Sequence, residues 1–142
     1  MQVVRSDIGP QSSDFGYTVY MQDVTELRIY RQALELLPKV YELAKTLPYT
    51  ERELRSQMCN AAKSITAQIA EGFAKKNSQV EFKRFLYMAL GSSDETITHI
   101  RQVHILFPEK SKACGELIQS YKSESRQMNA LIQKIRNPIS EV

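Results

Sequence analysis

The sequence predicts an all-α protein, an antiparallel up-down-up-down four-helix bundle with a loose N-terminal arm. From Val24 onward, apolar residues recur every three or four positions, which is the period of one face of a helix. No segment alternates polar and apolar residues at period two for long enough to build a sheet. The loops between the helical patterns are short, so successive helices must lie antiparallel.

Residues 1 to 22 form the predicted arm, because glycine, proline and serine interrupt any helical period there. Its alternating residues 17 to 21 fit a short extended segment that packs on the body or on a neighbouring subunit. The alternative is disorder, which we expect for residues 1 to 14. Residues 23 to 142 then make up the bundle.

The first two helices follow the arm. The first ends before Pro48, and its apolar face is Leu27, Tyr30, Leu34, Leu37, Tyr41, Ala44 and Leu47. The second begins at Thr50, where the spacing of Thr50 and Glu53 predicts a capping box. Its core face is Leu54, Met58, Ala61, Ile65, Ile69 and Phe73.

The third helix begins at Ser78, with Glu81 completing a second capping box. Its core face is Phe82, Phe85, Leu86, Ala89, Leu90, Ser93, Ile97, Ile100 and Val103. Helices two and three each run to about 25 residues, or about 38 Å, a length that suits a bundle. The fourth helix follows Pro108, and its apolar positions are Cys114, Leu117, Ile118, Tyr121, Met128, Leu131, Ile132 and Ile135.

Composition limits the function classes. The chain has 142 residues, of which 42% are hydrophobic, enough for one cored domain. A net charge of +3 permits an anionic partner without requiring one. Cys59 and Cys114 have no metal-ligand spacing, so we expect small core residues in a reducing compartment. No apolar run has the length of a signal sequence or a membrane span, which predicts a cytoplasmic protein with no membrane contact.

A second stripe on the two central helices is polar and rich in small residues. On the second helix it is Gln57, Asn60, Ser64, Gln68, Glu71 and Lys75, and on the third it is Arg84, Met88, Gly91, Glu95, Thr98 and Gln102. A glycine inside a helix costs up to about 1 kcal/mol relative to alanine, so it often marks a close approach of another helix.

Two interpretations of this stripe stay open. One is a solvated face that tolerates a glycine. The other is a contact between subunits, with ion pairs across it from Glu71, Arg84 or Glu95. The oligomer interface would then comprise Gln57, Ser64, Gln68, Glu71, Arg84, Gly91, Ser92 and Glu95.

We expect no metal, no cofactor and no enzymatic activity. Glu95 and His99 form a single Glu/His pair, and no Glu-x-x-His motif on another helix complements it. The chain also lacks a Walker-type glycine loop, and no nucleophile has a plausible base beside it in sequence.

Basic residues concentrate at the turn between the second and third helices. This basic turn comprises Lys75, Lys76, Lys83 and Arg84. Such a cluster can bind nucleic-acid phosphates, and the N-terminus of the third helix adds a partial positive charge. The alternative is an ordinary solvated turn, since no aromatic residues interleave with the lysines.

The two central helices carry a long specific motif. Its residues are Gln57, Ala61, Ala62, Ser64, Ile65, Ala67, Ile69, Ala70, Glu71 and Gly72, followed by Glu81, Phe82, Arg84, Phe85, Leu86, Ala89, Gly91, Ser92 and Glu95. This motif resembles that of the four-helix-bundle proteins encoded in 23S ribosomal RNA intervening sequences. The chain departs from it at Thr66 and Gln68, where the family has proline and asparagine, and at Cys59 and Asn60, where it has two arginines.

The resemblance implies a homopentameric ring with no known catalytic activity. The family is also similar in architecture to the accessory variability proteins of diversity-generating retroelements, which form pentamers and bind a reverse transcriptase and nucleic acid. Two hypotheses follow. The first is a non-enzymatic homo-oligomeric scaffold, and the second is an accessory protein that binds RNA or DNA, such as a partner of a reverse transcriptase.

Overall fold

The described part of the chain is a bundle of four helices. The computed structural model describes Thr18 and residues 20–135, and this part contains no strand. The helices are α1 (Arg28–Lys45), α2 (Arg52–Ala74), α3 (Gln79–Leu106) and α4 (Ser111–Lys134). The predicted fold class is therefore confirmed, while the disorder predicted for residues 1 to 14 lies outside the described residues.

Each helix packs against its neighbours in sequence, and α1 closes the bundle against α4. The α2–α3 pair makes the most extensive contact of the four. None of the described helices has the length and apolar character needed to span a bilayer.

The core faces of α2 and α3 match the sequence prediction. All six residues predicted for α2 are buried, and on α3 only Phe85 and Leu90 are half-buried rather than buried. Cys59 and Cys114 are buried free thiols, as expected for small core residues. Burial is the main reason that the pKa of each thiol is raised.

The core face of the first helix differs in part from the prediction, although Leu27, Ala44 and Leu47 are buried as predicted. Leu34 is 42% exposed, and Tyr30, Leu37 and Tyr41 are only half-buried. The buried residues of α1 are Ile29, Ala33, Leu36, Val40, Leu43 and Ala44. This second apolar stripe also recurs at three and four positions, so periodicity alone could not choose between the two stripes.

Of the two predicted capping boxes, one is wrong and one is half formed. Residues Tyr49–Glu51 form a 3₁₀ turn, and α2 begins at Arg52 with no side-chain cap. At α3, the Ser78 hydroxyl accepts a hydrogen bond from the Glu81 backbone N–H at 3.2 Å. The carboxylate of Glu81 binds Arg84.

The end of the arm folds onto the bundle as a turn. The Met21 backbone N–H donates to the Thr18 carbonyl at 3.0 Å, and both side chains are buried. The extended segment predicted here is therefore wrong for the residues that the structure describes.

Gly72 is the point of close approach between α2 and α3. A Cβ atom at this position would lie 3.0 Å from the Phe85 Cβ and 3.3 Å from the Phe82 carbonyl oxygen. These distances are shorter than normal van der Waals contact, so a side chain at this position would push the neighbouring atoms of α3 away by a few tenths of an ångström.

The core also contains one carboxyl group without a partner. Glu124 on α4 is fully buried, and neither of its carboxyl oxygens has a hydrogen-bond partner. The hydroxyl of Tyr121, one turn earlier, is likewise buried and unpartnered. Burial raises the pKa of Glu124 to about 8, so the group is mainly uncharged at neutral pH. Burial, together with the neighbouring Glu124 and Cys59, raises the pKa of Tyr121.

Gly72→Ala should destabilise the bundle by about 1 to 3 kcal/mol, because the added methyl group overpacks the α2–α3 contact. Gly115→Ala is the matched control, since a Cβ there meets no atom within 4 Å. That control should gain up to about 1 kcal/mol from helix propensity. Urea unfolding of both variants measures the difference, and equal effects would contradict a close contact at Gly72.

Glu124→Gln should remove a pH dependence of stability. The folded pKa of Glu124 lies above its ordinary value of 4.5, so the folded state holds the proton more tightly. The contribution of this bound proton to the free energy of unfolding is fully present below pH 4.5 and is lost as the pH rises to about 8. The loss has a slope of about 1.4 kcal/mol per pH unit.

Urea unfolding at several pH values measures this effect as the difference between the native chain and Glu124→Gln. The native chain should lose stability relative to the variant as the pH rises. Glu116→Gln alters an exposed carboxylate on the same helix and should leave the pH dependence unchanged. Parallel pH profiles for the native chain and Glu124→Gln would refute the assignment.

Candidate functional site

The predicted interface residues lie along one side of the bundle, where α2 and α3 run antiparallel. The Ser92 hydroxyl donates a hydrogen bond to the Ser64 hydroxyl at 3.0 Å, which places the middle of α3 beside the middle of α2. The two serines and Gln68 are half-buried. The exposed members of the set are Gln57, Glu71, Arg84, Gly91 and Glu95. Ser64 and Ser92 thus stabilise the packing within the chain itself.

Gly91 lies on an open surface. A Cβ atom there would meet no other atom within 4 Å, so no helix of the same chain approaches it. The sequence predicted a close helix approach at Gly91, but within the chain that approach occurs at Gly72. Gly91 therefore leaves a shallow gap in the exposed side of α3.

Two large apolar side chains, Tyr87 and Met88, are exposed one turn before that gap. Five exposed apolar residues of α3 lie on the same side of the helix as Gly91, separated along it by the polar residues Arg84, Glu95, Thr98 and Gln102. These are Val80, Tyr87, Met88, Ile105 and Leu106, with exposed fractions from 42% to 77%. We refer to these five residues with Gly91 as the α3 face. Sequence analysis identified only Met88 and Gly91 of this set, although the spacing of the others was readable.

One end of the α3 face opens into a groove of about 730 Å³ between the start of α2 and the end of α3. Gln57 lines this groove together with Thr98, Gln102, Ile105 and Leu106. The polar stripe and the exposed apolar residues therefore meet at this end of the bundle.

His99 is nearly buried beside this groove and is held by its own helix. Its Nδ1 lies 2.9 Å from the Gln102 Oε1, and its Nε2 lies 3.3 Å from the Glu95 Oε2. Each ring nitrogen thus has a polar side chain of the same helix within hydrogen-bond distance. Within the described residues, no group of three or more His, Cys, Asp or Glu side chains is placed to hold a metal ion.

The cations of the basic turn are largely engaged within the chain. Arg84 makes two hydrogen bonds to the Glu81 carboxylate, at 3.0 and 3.1 Å, which lower the pKa of Glu81. The Lys75 ammonium lies 3.9 Å from a Glu71 oxygen. Lys83 has no ion-pair partner among the described residues.

Aromatic rings lie beneath these cations. Lys75 and Arg84 lie 4.9 and 4.4 Å from the centre of the Phe85 ring, and Lys76 lies 4.2 Å from that of Phe73. The expectation that no aromatic group accompanies the lysines is therefore wrong. Sequence inspection missed the rings because both phenylalanines were assigned to the core.

Comparison with known proteins identifies the family. The chain matches the family described as 23S rRNA-intervening sequence protein over residues 25–132. That match covers all but the ends of the described bundle. No curated protein sequence matches the chain. The chain belongs to the 23S rRNA-intervening sequence protein family, as the motif on its two central helices indicated.

Proposed function

We propose that this member of the 23S rRNA-intervening sequence protein family is a non-enzymatic scaffold that assembles into a closed ring of identical subunits. The observation that carries the proposal is the α3 face, where Tyr87 and Met88 are exposed beside the open Gly91 and three further apolar side chains are exposed toward the helix ends. Large apolar side chains exposed on one side of a helix favour an interaction surface, because their exposure to water is unfavourable unless a partner covers them.

The composition of the α3 face also fits a protein–protein contact. Tyrosine, methionine and arginine are enriched in the cores of such contacts, and Tyr87, Met88 and Arg84 lie within two turns of one another. Arg84 is already oriented by Glu81, so little side-chain freedom is lost when a partner arrives. An ion pair from Arg84 to another subunit would have to share the guanidinium with Glu81.

Ring closure needs two different surfaces. A ring with an odd number of subunits is closed by a heterologous contact, in which one patch of each subunit binds another patch of the next. The α3 face supplies one patch. The exposed side of α2 supplies the other, where Gln68 and Glu71 lie near the small side chains of Ala67, Ala70 and Ala74. Five subunits is the number that the family resemblance implies.

The scaffold role is proposed without a catalytic step. The thiols of Cys59 and Cys114 are buried with raised pKa values, which disfavours the reactive thiolate. The imidazole of His99 is held at both nitrogens by side chains of its own helix. These groups therefore fit a role in packing better than a role in catalysis.

A nucleic-acid accessory role at the basic turn is the second candidate, with RNA, DNA or a reverse transcriptase as partner. The family description, which names ribosomal RNA, favours it. At the turn itself, Lys75, Lys76 and Arg84 already contact carboxylates or aromatic rings. A phosphate would have to displace or share these contacts.

Gly91→Leu should dissociate the ring without unfolding the bundle. The leucine side chain would fill the gap that a neighbouring subunit occupies, while nothing in the same chain lies within 4 Å of its Cβ. Light scattering after size-exclusion chromatography gives the mass, and circular dichroism reports the helix content. The expected result is a smaller species with unchanged helicity.

Gly115→Leu is the matched control, because Gly115 is also an exposed helical glycine with open space around it, but on α4. It should leave the mass unchanged. If Gly91→Leu keeps the native mass, or if both variants dissociate alike, the α3 face is not the subunit contact.

A further inference from the structure

We propose that the groove between α1 and the first half of α2 binds a single-stranded nucleic acid, independently of the proposed self-assembly. Four basic side chains contact its phosphates, and an exposed tyrosine stacks on a base. We call this the α1–α2 groove. Its lining residues are Tyr41, Ala44, Lys45, Tyr49, Arg52, Arg55, Ser56, Cys59, Asn60 and Lys63.

The charge of the α1–α2 groove is of one sign. Lys45, Arg52, Arg55 and Lys63 line it, and no carboxylate does. Within the described residues, none of these four cations is in an ion pair. Unpaired cations that converge on one cleft produce a positive potential that favours a polyanion.

The positive field extends to the floor of the groove. Cys59 and Ala44 are buried there, and the cleft has a volume of about 480 Å³. Burial raises the pKa of the Cys59 thiol, but Lys63 and Arg55 act in the opposite direction and lower it. The two cations therefore lie close enough to affect a group inside the cleft, as contact with a bound phosphate requires.

Tyr49 supplies a stacking surface at the edge of the groove. It is 73% exposed, and the Arg52 guanidinium carbon lies 4.8 Å from its ring centre. An exposed ring beside an arginine is the arrangement with which proteins hold an unpaired base, by stacking and by cation–π attraction. Double-stranded nucleic acid offers no free base face, so this pair favours a single strand.

Another groove on the same helix shows that this charge pattern is local. The groove of about 910 Å³ between α1 and α4 is lined by three lysines and three glutamates. These are Lys39, Lys110, Lys112, Glu42, Glu109 and Glu116. Its charges balance, so it lacks the one-sided potential of the α1–α2 groove.

The α1–α2 groove lies on the opposite flank of α2 from the contact with α3. Cys59 and Lys63 line the cleft with Tyr41 of α1, whereas Ser64 binds Ser92 of α3. The second ring patch, around Gln68 and Glu71, lies in the other half of α2 from the groove residues Arg52 to Lys63. The two proposals therefore use different residues of α2, and separate variants test them.

The test is fluorescence anisotropy with a fluorescein-labelled uridine homopolymer of about 16 nucleotides, the upper end of common site sizes. With four phosphate contacts on a single strand, affinity should fall about 50-fold between about 50 and about 200 mM salt. Arg52→Gln with Lys63→Gln removes two contacts and should reduce that dependence to about sevenfold. Lys39→Gln with Lys112→Gln removes the same charge from the balanced groove and should leave it unchanged.

Tyr49 is tested with the same probe. Tyr49→Ala should weaken binding at least about fivefold through the loss of stacking, and Tyr49→Phe should retain it. Light scattering of each variant should show the native mass, which separates this proposal from the assembly proposal.

Three results would overturn the proposal. The first is no binding at about 50 mM salt. The second is an equal loss of affinity in the two double variants, Arg52→Gln with Lys63→Gln and Lys39→Gln with Lys112→Gln. The third is an unchanged affinity in Tyr49→Ala. The last result would mean that the groove binds a polyanion without recognising a base.

Discussion

The close contact of α2 with α3 is the constraint on which the rest of the structure depends. Gly72 lets the α3 backbone near Phe82 and Phe85 approach α2, and the hydrogen bond between Ser64 and Ser92 lies about two turns along the same contact. Together they fix the register of two helices of 23 and 28 residues. The flank of α2 opposite α3 packs against α1. The outer side of α3 stays exposed.

That arrangement divides the surface into two regions of different chemistry. On the α3 face, large apolar side chains and an open glycine lie among exposed polar residues, which suits a contact of mixed character with another protein surface. The α1–α2 groove combines unpaired cations with an exposed tyrosine, which suits a charged, hydrated ligand. Inside the bundle, the raised pKa of the buried Glu124 predicts a pH-dependent stability, and this group lies on neither surface.

Much of the fold was predictable from the sequence, for physical reasons that also explain the failures. All six residues predicted for the core face of α2 are buried, because the helix has one apolar stripe and a contrasting polar one, although Ala62 and Gly72 are buried as well. On α1, a second apolar stripe runs beside the predicted one, so the buried set could be known only after packing against α2 and α4. Ser78 caps α3 as predicted, but Thr50 lies in a 3₁₀ turn whose formation the capping pattern does not reveal.

The functional surfaces were less predictable. The motif on the two central helices led to the family, and the positions of Met88 and Gly91 were noted, yet Gly72 proved to be the packing glycine. The α1–α2 groove escaped notice because Lys45, Arg52 and Lys63 are separated in sequence, with Glu51 and Glu53 between them. In the fold, both glutamates line the groove toward α3, which Arg52 also borders, whereas Lys45 and Lys63 line the α1–α2 groove.

The most direct test of the account is the mass of the native chain in solution, measured by light scattering over a range of concentrations. If the α3 face is a subunit contact, the protein should be a closed oligomer of constant mass, and a ring of five 16.3 kDa chains would be about 82 kDa. A monomer at every concentration would contradict the account, because the exposed apolar residues of α3 would then have no partner among copies of the chain.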